Sequence, residues 1–153
     1  MKHKLWLVLV GTSFLVGCTI TAHLYPVQGP LSAQSPLPVF STKLSGTINP
    51  RTISATLSNG EICKGNWIVI PQARVQKGSD AATTINDLAP IWDTVYGTGY
   101  YVSHALGSKY YDRAVATGNK GTVLTMELYV DSGDGDMKGV AKDNHENIYK
   151  VVF

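Results

Sequence analysis

The sequence lacks several features that would assign it to a familiar class of protein. It has only two cysteines, Cys18 and Cys63, which are too few for the disulfide framework of a small secreted domain. It has no run of like charges, so the electrostatic footprint of a nucleic-acid-binding surface is missing, and so is a polybasic lipid-binding patch. We therefore do not expect nucleic acid among its partners.

Motifs for catalysis and for cofactor or metal binding are also missing. His104 is followed by no Glu or His at metal-ligand spacing, and a zinc site needs three or four gathered ligands. No Gly-x-Ser-x-Gly segment surrounds a serine, and Gly97-x-Gly99 lacks the third glycine of a dinucleotide fingerprint. The segment DSGDGD (131–136) does not have the ligand spacing of an EF-hand, and a hairpin turn accounts for it. We expect no enzyme activity, no cofactor and no metal.

The amino-terminal segment is the most informative part of the chain. Lys2 and Lys4 precede 13 uncharged, mostly apolar residues, Leu5 to Gly17. As a helix this run is roughly 20 Å long, short of the roughly 30 Å core of a bilayer. It is typical of the hydrophobic region of a signal peptide rather than of a permanent membrane span.

This segment ends in Leu15-Val16-Gly17-Cys18, which resembles the lipobox of bacterial lipoprotein precursors. The resemblance implies that residues 1–17 are a lipoprotein signal peptide cut between Gly17 and Cys18, and that Cys18 receives acyl chains on its thiol and its freed amine. These chains would anchor the protein in a membrane. Thr19 stands where an Asp would imply inner-membrane retention, so we expect the outer membrane, facing the periplasm. The alternative is an ordinary secretory signal in which Cys18 has no role.

Removal of that segment changes the charge balance. Lys2 and Lys4 account for two of the 13 basic residues, so the remaining chain carries 11 basic and 11 acidic side chains and has no net charge. Cys63 is then the only cysteine besides the lipidated one, and its alternating sequence context predicts a buried thiol rather than a reactive one.

Residues 18–40 predict a tether between the lipid and the folded domain. They hold four of the seven prolines and no Asp, Glu, Lys or Arg. Proline favours extended backbone and removes hydrogen-bond donors. Apolar residues such as Leu24 and Val39 leave open that part of this segment packs along the domain.

Residues 41–153 predict a single β-rich domain. Alternation of apolar and polar residues, interrupted by turn signals such as Ser58-Asn59-Gly60, indicates three strands before residue 71 and four after residue 109. Between them, Ile85, Leu88, Ile91, Trp92 and Val95 recur at helical spacing, and Thr84–Asp87 predicts the start of that helix. Residues 100–106 fit either a further helical turn or a strand. The predicted fold is mainly β, with α+β as an alternative: an antiparallel, curled or barrel-like sheet of about seven strands with one inserted helix.

An aromatic cluster is the remaining candidate for a binding surface. Tyr and Trp provide large contact areas at interfaces, although packing of a helix against a sheet explains the same composition. The cluster comprises Trp92, Tyr96, Tyr100, Tyr101, Tyr110 and Tyr111.

Two functions remain open. The first is a non-enzymatic binding or structural role toward an envelope protein or cell-wall component. The second is a periplasmic inhibitor or small-ligand-binding β-barrel module. Small barrel lipoproteins that block lysozymes are an example of the second, but their usual disulfides and Ser-Gly-x-x-Tyr loop are not found in this sequence.

Overall fold

The chain forms a closed barrel of eight antiparallel strands in which every strand pairs with its neighbours in sequence and the first pairs with the last. The structure is a computed structural model, and it describes residues 18–46, 50–70, 88–106, 108, 111–131 and 133–153. The strands are β1 (Thr19–Gln28), β2 (Phe40–Ser45), β3 (Thr52–Thr56), β4 (Ile62–Ile70), β5 (Tyr111–Gly118), β6 (Val123–Val130), β7 (Met137–Asp143) and β8 (Ile148–Val152). This architecture confirms the predicted mainly β, barrel-like fold.

Helical structure is limited to three short elements in the described residues. A 3-10 turn (Pro30–Ala33) follows β1, an α-helix, α1 (Ala89–Tyr96), lies between β4 and β5, and a π-helical turn (Tyr101–Ala105) follows α1. The inserted helix is confirmed, and the ambiguous segment after it is helical. The helix start predicted at Thr84–Asp87 lies outside the described residues.

The prediction of a tether over residues 18–40 needs correction, because Thr19–Gln28 is a strand of the barrel. His23 pairs with Ser41 of β2 on one side and with Val152 of β8 on the other, so β1 closes the barrel. Ala22 and Leu24 face the interior and are fully buried. Pro26 fits because the β1–β8 register shifts between Pro26 and Gln28, as at a β-bulge. The described sheet therefore has eight strands, and Thr19–Gln28 belongs to the folded domain.

The two ends of the barrel differ. At the hairpin end, tight turns join β3 to β4, β5 to β6 and β7 to β8, over residues 57–61, 119–122 and 144–147. At the other end, here called the terminal end, β1 begins and β8 finishes, and the β2–β3, β4–β5 and β6–β7 connections leave and re-enter the sheet. The inserted helix thus departs from the same end at which β1 begins and β8 finishes.

The barrel interior is filled by inward-facing side chains that alternate with outward-facing ones along each strand. Small residues face large ones across this core, which lets the side chains interdigitate. The interior cluster contains Ala22, Leu24, Phe40, Leu44, Ile53, Ala55, Cys63, Ala114, Ala116, Leu124, Met126, Leu128, Ala141, Tyr149 and Val151.

A second core lies on the outer face of the barrel, beneath α1. Trp92 of the helix is fully buried there, against Tyr111, Tyr129 and Val140, which alternation places on the outside of the sheet. The Asp93 carboxylate accepts hydrogen bonds from the backbone N–H groups of Gly99 and Tyr101 and so fixes the π-helical turn relative to α1. We call this region the covered face.

Candidate functional site

The predicted aromatic cluster packs the helical segment onto the barrel. Trp92, Tyr101 and Tyr111 are buried, Tyr96 and Tyr100 are half-buried, and Tyr110 lies outside the described residues. The cluster does not form one exposed aromatic surface, because three of its members are covered by the rest of the molecule.

Four rings of the covered face form a ladder at four-residue spacing. Trp92 stacks on Tyr96 with ring centroids 5.6 Å apart, Tyr96 on Tyr100 at 4.7 Å, and Tyr100 on His104 at 4.5 Å. Trp92 and Tyr96 lie on the same side of α1, whereas Tyr100 and His104 continue the stack from the π-helical segment that follows the break at Gly97. The ladder runs from the buried Trp92 to the exposed His104.

Glu127 of β6 is a buried acid that the sequence analysis did not single out. Its side chain is completely inaccessible beneath α1, and its Oε2 atom accepts hydrogen bonds from Trp92 Nε1 at 3.1 Å and from the Tyr111 hydroxyl. Its Oε1 atom has no partner among the described residues. Burial raises the pKa of Glu127 to about 7, although the two hydrogen bonds act in the opposite direction.

A chain of polar groups continues from the aromatic ladder to the β6–β7 turn. The Tyr100 and Tyr129 hydroxyls lie 2.5 Å apart, and Tyr129 also donates to Asp131 Oδ2 at 3.3 Å. Lys138 Nζ pairs with Asp131 at 3.0 Å and with Asp134 at 2.8 Å. The Asp131 carboxylate accepts a hydrogen bond from the Gly133 backbone, so the acidic segment closes a hairpin turn, as predicted.

A cavity of about 360 Å³ opens at the hairpin end of the barrel. Its floor is formed by Phe40 and Tyr149, whose rings meet edge to face with centroids 5.9 Å apart. Its walls include Leu31 of the 3-10 turn and Leu57 of the β3–β4 turn. Mouths of barrels are among the places where small-molecule sites occur, and an apolar floor with a polar rim is their usual composition.

The polar groups around this cavity are held in place by the protein itself. Asp143 accepts hydrogen bonds from the backbone N–H groups of His145 and Asn147, from the Asn147 side-chain amide and from the Tyr149 hydroxyl, at 2.6 to 3.0 Å. The Asn147 side chain also accepts a hydrogen bond from the backbone of Leu31 at 2.9 Å, which ties the 3-10 turn to the β7–β8 turn. The cavity walls are therefore braced before any ligand arrives.

A nucleophile, a base and an acid do not converge in the described part of the chain. Cys63 is completely buried inside the barrel, as predicted, and burial raises the pKa of its thiol. His104 lies on the outer surface, where its Nδ1 atom is 2.7 Å from the Ser103 hydroxyl. Within the described residues, no three His, Cys, Asp or Glu side chains gather as a metal site would require.

Cys18 lies exposed at the terminal end, directly before β1. Its carbonyl oxygen accepts a hydrogen bond from the Gly46 backbone at 3.2 Å. Gly17, on the other side of the predicted cleavage point, lies outside the described residues. Among the helices that the structure describes, none has the length and apolarity needed to cross a membrane.

Comparison of the chain with family models, with curated proteins and with solved structures finds no match.

Proposed function

We propose that the chain is a membrane-anchored envelope lipoprotein that acts by binding rather than by catalysis, with the hairpin-end cavity as its binding site. The Leu15–Cys18 lipobox supports the anchor, and the outer membrane facing the periplasm is the proposed location. The observation that carries the binding role is the braced, apolar-floored cavity at the hairpin end.

The chemistry of the side chains supports a non-enzymatic role. A thiol serves as a nucleophile only as the thiolate, and the buried environment of Cys63 disfavours that form. The carboxyl groups of Glu127 and Asp143 are engaged by Trp, Tyr and Asn side chains away from bulk solvent. They brace the fold, Glu127 beneath α1 and Asp143 in the wall of the hairpin-end cavity, where it already accepts four hydrogen bonds from the protein itself.

The cavity favours a small ligand with an apolar body. Its volume is at the lower end of the range for small-molecule sites, which is roughly 300–1,000 Å³. Phe40, Leu57 and Tyr149 would contact the apolar part, while Asn59 and His145 at the rim offer hydrogen bonds to a polar group. This observation favours the small-ligand module over an inhibitor that presents a protruding loop.

The anchor is tested by metabolic labelling with an alkyne analogue of palmitate in a bacterial host. We expect the wild type to be labelled and the Cys18→Ser variant to be unlabelled, and intact mass spectrometry should find an acylated chain beginning at residue 18. A chain that begins elsewhere, or begins there without acyl groups, contradicts the proposal.

The cavity is tested by filling it. Leu31→Trp places a large ring in the cavity wall, whereas Leu37→Trp places the same ring at an exposed position of the same connection. We expect native mass spectrometry of the purified protein to find a small molecule bound to wild type and to Leu37→Trp but not to Leu31→Trp. If all three proteins lack a small molecule, and envelope proteins captured by wild type bind Leu31→Trp equally well, the cavity is not the binding site.

A further inference from the structure

The chain enters the barrel directly after the proposed lipid attachment site. Cys18 is followed at once by β1, and Thr19 is already in register with Ser45 of β2. The hydroxyls of these two residues lie 3.0 Å apart, and the Cys18 carbonyl is bonded to Gly46 on the same neighbouring segment. Cys18 is thus held at the rim of the terminal end.

The position of Cys18 leaves no flexible linker between the barrel and the lipid. Each residue of an extended linker adds about 3.5 Å of reach, and the structure provides no linker residue between Cys18 and β1. Acyl chains on Cys18 would therefore hold the terminal end within about a side chain's length of the lipid headgroups.

The rim of the terminal end also exposes apolar side chains. Ile20 of β1 and Val69 of β4 occupy inward-facing positions at the barrel's edge, and Phe153 directly follows β8, yet the three residues are 41%, 36% and 37% exposed. Trp67 lies half-buried one inward position deeper than Val69. Exposed apolar residues also occur near the hairpin end, among them Ile62 and Val123, so apolarity alone does not choose between the ends. The position of Cys18, the proposed attachment point, selects the terminal end.

We propose that the terminal end of the barrel rests on the lipid surface, with Ile20, Val69 and Phe153 against the lipid and the hairpin-end cavity directed away from the membrane. The inference rests on the proposed lipidation of Cys18. The partner of the terminal end would be the lipid surface itself, and the cavity would have a fixed orientation relative to the membrane.

The charge of the β6–β7 turn guides the choice of membrane. The β6–β7 turn at this end carries Asp131, Asp134 and Asp136, and Lys138 pairs with the first two. Carboxylates outnumber the lysine, so an anionic surface would repel this turn. Vesicles of zwitterionic lipid are the appropriate test surface.

Tryptophan fluorescence can report which end meets the lipid. After loss of the signal peptide the chain retains Trp67 at the terminal end and the fully buried Trp92. Three acylated proteins are compared in vesicles containing bromine-labelled phosphatidylcholine: the wild type, Trp67→Phe, and Trp67→Phe combined with His145→Trp. The second protein gives the Trp92 background, and the third places the probe at the hairpin end.

We expect the Trp67 signal to lose intensity in the brominated vesicles, and the probe at position 145 to lose none beyond the background. Equal loss from both probes, or greater loss at position 145, overturns the orientation. Acylation is verified by intact mass in each sample. Absence of the acyl groups would contradict the proposed anchor. An acylated protein with an unquenched Trp67 would contradict the orientation alone.

If Trp67→Phe does not fold, the orientation can be tested on the wild-type protein. Amide hydrogen exchange of the acylated wild type is compared between detergent micelles and zwitterionic vesicles. We expect slower exchange on vesicles at Gly133–Gly135 of the terminal end and unchanged exchange at residues 119–121 of the hairpin end. The reverse pattern, or no difference at either turn, contradicts the proposal.

Discussion

Two glutamates at different places in the molecule are equally hidden from solvent and differ in their protonation. Glu61, at the hairpin end, exposes 1% of its surface, and Glu127, on the covered face, exposes none. Burial by itself raises the pKa of both. The pKa of Glu61 nevertheless falls to about 2, whereas that of Glu127 rises to about 7.

The two glutamates differ in the number of hydrogen-bond donors that reach their carboxylates. Glu61 accepts hydrogen bonds from the Thr122 hydroxyl and backbone and from the Lys120 backbone, all within 3.0 Å, and from Asn59 at 3.5 Å. Both oxygens of Glu61 are used, whereas one oxygen of Glu127 has no partner in the described part of the chain. The hydrogen bonds to its charged form thus lower the pKa of Glu61 although its surface is almost completely covered.

Removing the Glu61 carboxylate should cause the largest loss of stability. In Glu61→Ala, the Thr122 donors and the Lys120 backbone N–H lose their acceptor at the point where the β3–β4 and β5–β6 turns meet. We expect Tm to fall by on the order of 15 °C. Thermal unfolding followed by circular dichroism measures it, with Glu146→Ala, an exposed carboxylate at the same end, as control. Equal small shifts in both variants would remove the distinction between the two glutamates.

The pH dependence of the free energy of unfolding should distinguish Glu127 from Glu61. The folded state holds the Glu127 proton more tightly than the unfolded chain does, so the free energy of unfolding should fall as pH rises from about 4.5 to about 7, by at most about 3 kcal/mol. Glu61 acts in the opposite sense, because its stabilisation is present above pH 4.5 and is lost as pH falls toward 2.

Glu127→Gln isolates the first of these effects. Urea unfolding at pH 4.5 and pH 7.5 should show a smaller loss of stability in the variant than in wild type. The variant is needed because burial also raises the pKa of Asp112, to about 6, which gives a slope of the same sign. Parallel curves for the two proteins would show that Glu127 does not titrate in this window.

Tyr100→Phe should give the smallest effect. It removes the hydrogen bond between the Tyr100 and Tyr129 hydroxyls but keeps the stacked ring and leaves Tyr129 its contact with Asp131. We expect a loss of about 1 kcal/mol. Urea unfolding measures it against Tyr25→Phe, an exposed tyrosine of β1. A loss as large as that of Glu61→Ala would mean that the covered face depends on its polar chain as strongly as the hairpin end does.

Most of the strands could be predicted because one face of each is buried. Alternation and turn signals locate β3 to β8 within a few residues. β1 was missed because its proline and its lack of charge resemble a linker, although Ala22, Leu24 and Pro26 alternate with exposed residues as in any strand. Pairing with β8, at the far end of the sequence, holds this strand in place, and local patterns do not contain that information.

The covered face was predicted only in part, for a similar reason. The ladder residues Trp92, Tyr96 and Tyr100 stand out in the sequence, but their partners Glu127 and Tyr129 lie on β6 at outward positions. Alternation assigns such positions to solvent, and only the presence of α1 over the sheet buries them. The sequence of β6 gives little signal, because its outward positions carry Val123, Thr125, Glu127 and Tyr129, a mixture of apolar and polar side chains.

Closure of the barrel through β1 and β8 joins two strands that lie far apart in the sequence. Val151 and Val152 pair with Leu24 and His23, so the ring is incomplete until β8 has been synthesised. A shortened chain that ends before Ile148 would present two unpaired strand edges, which are templates for aggregation. Deletions that reach into β8 therefore remove the strand that closes the barrel.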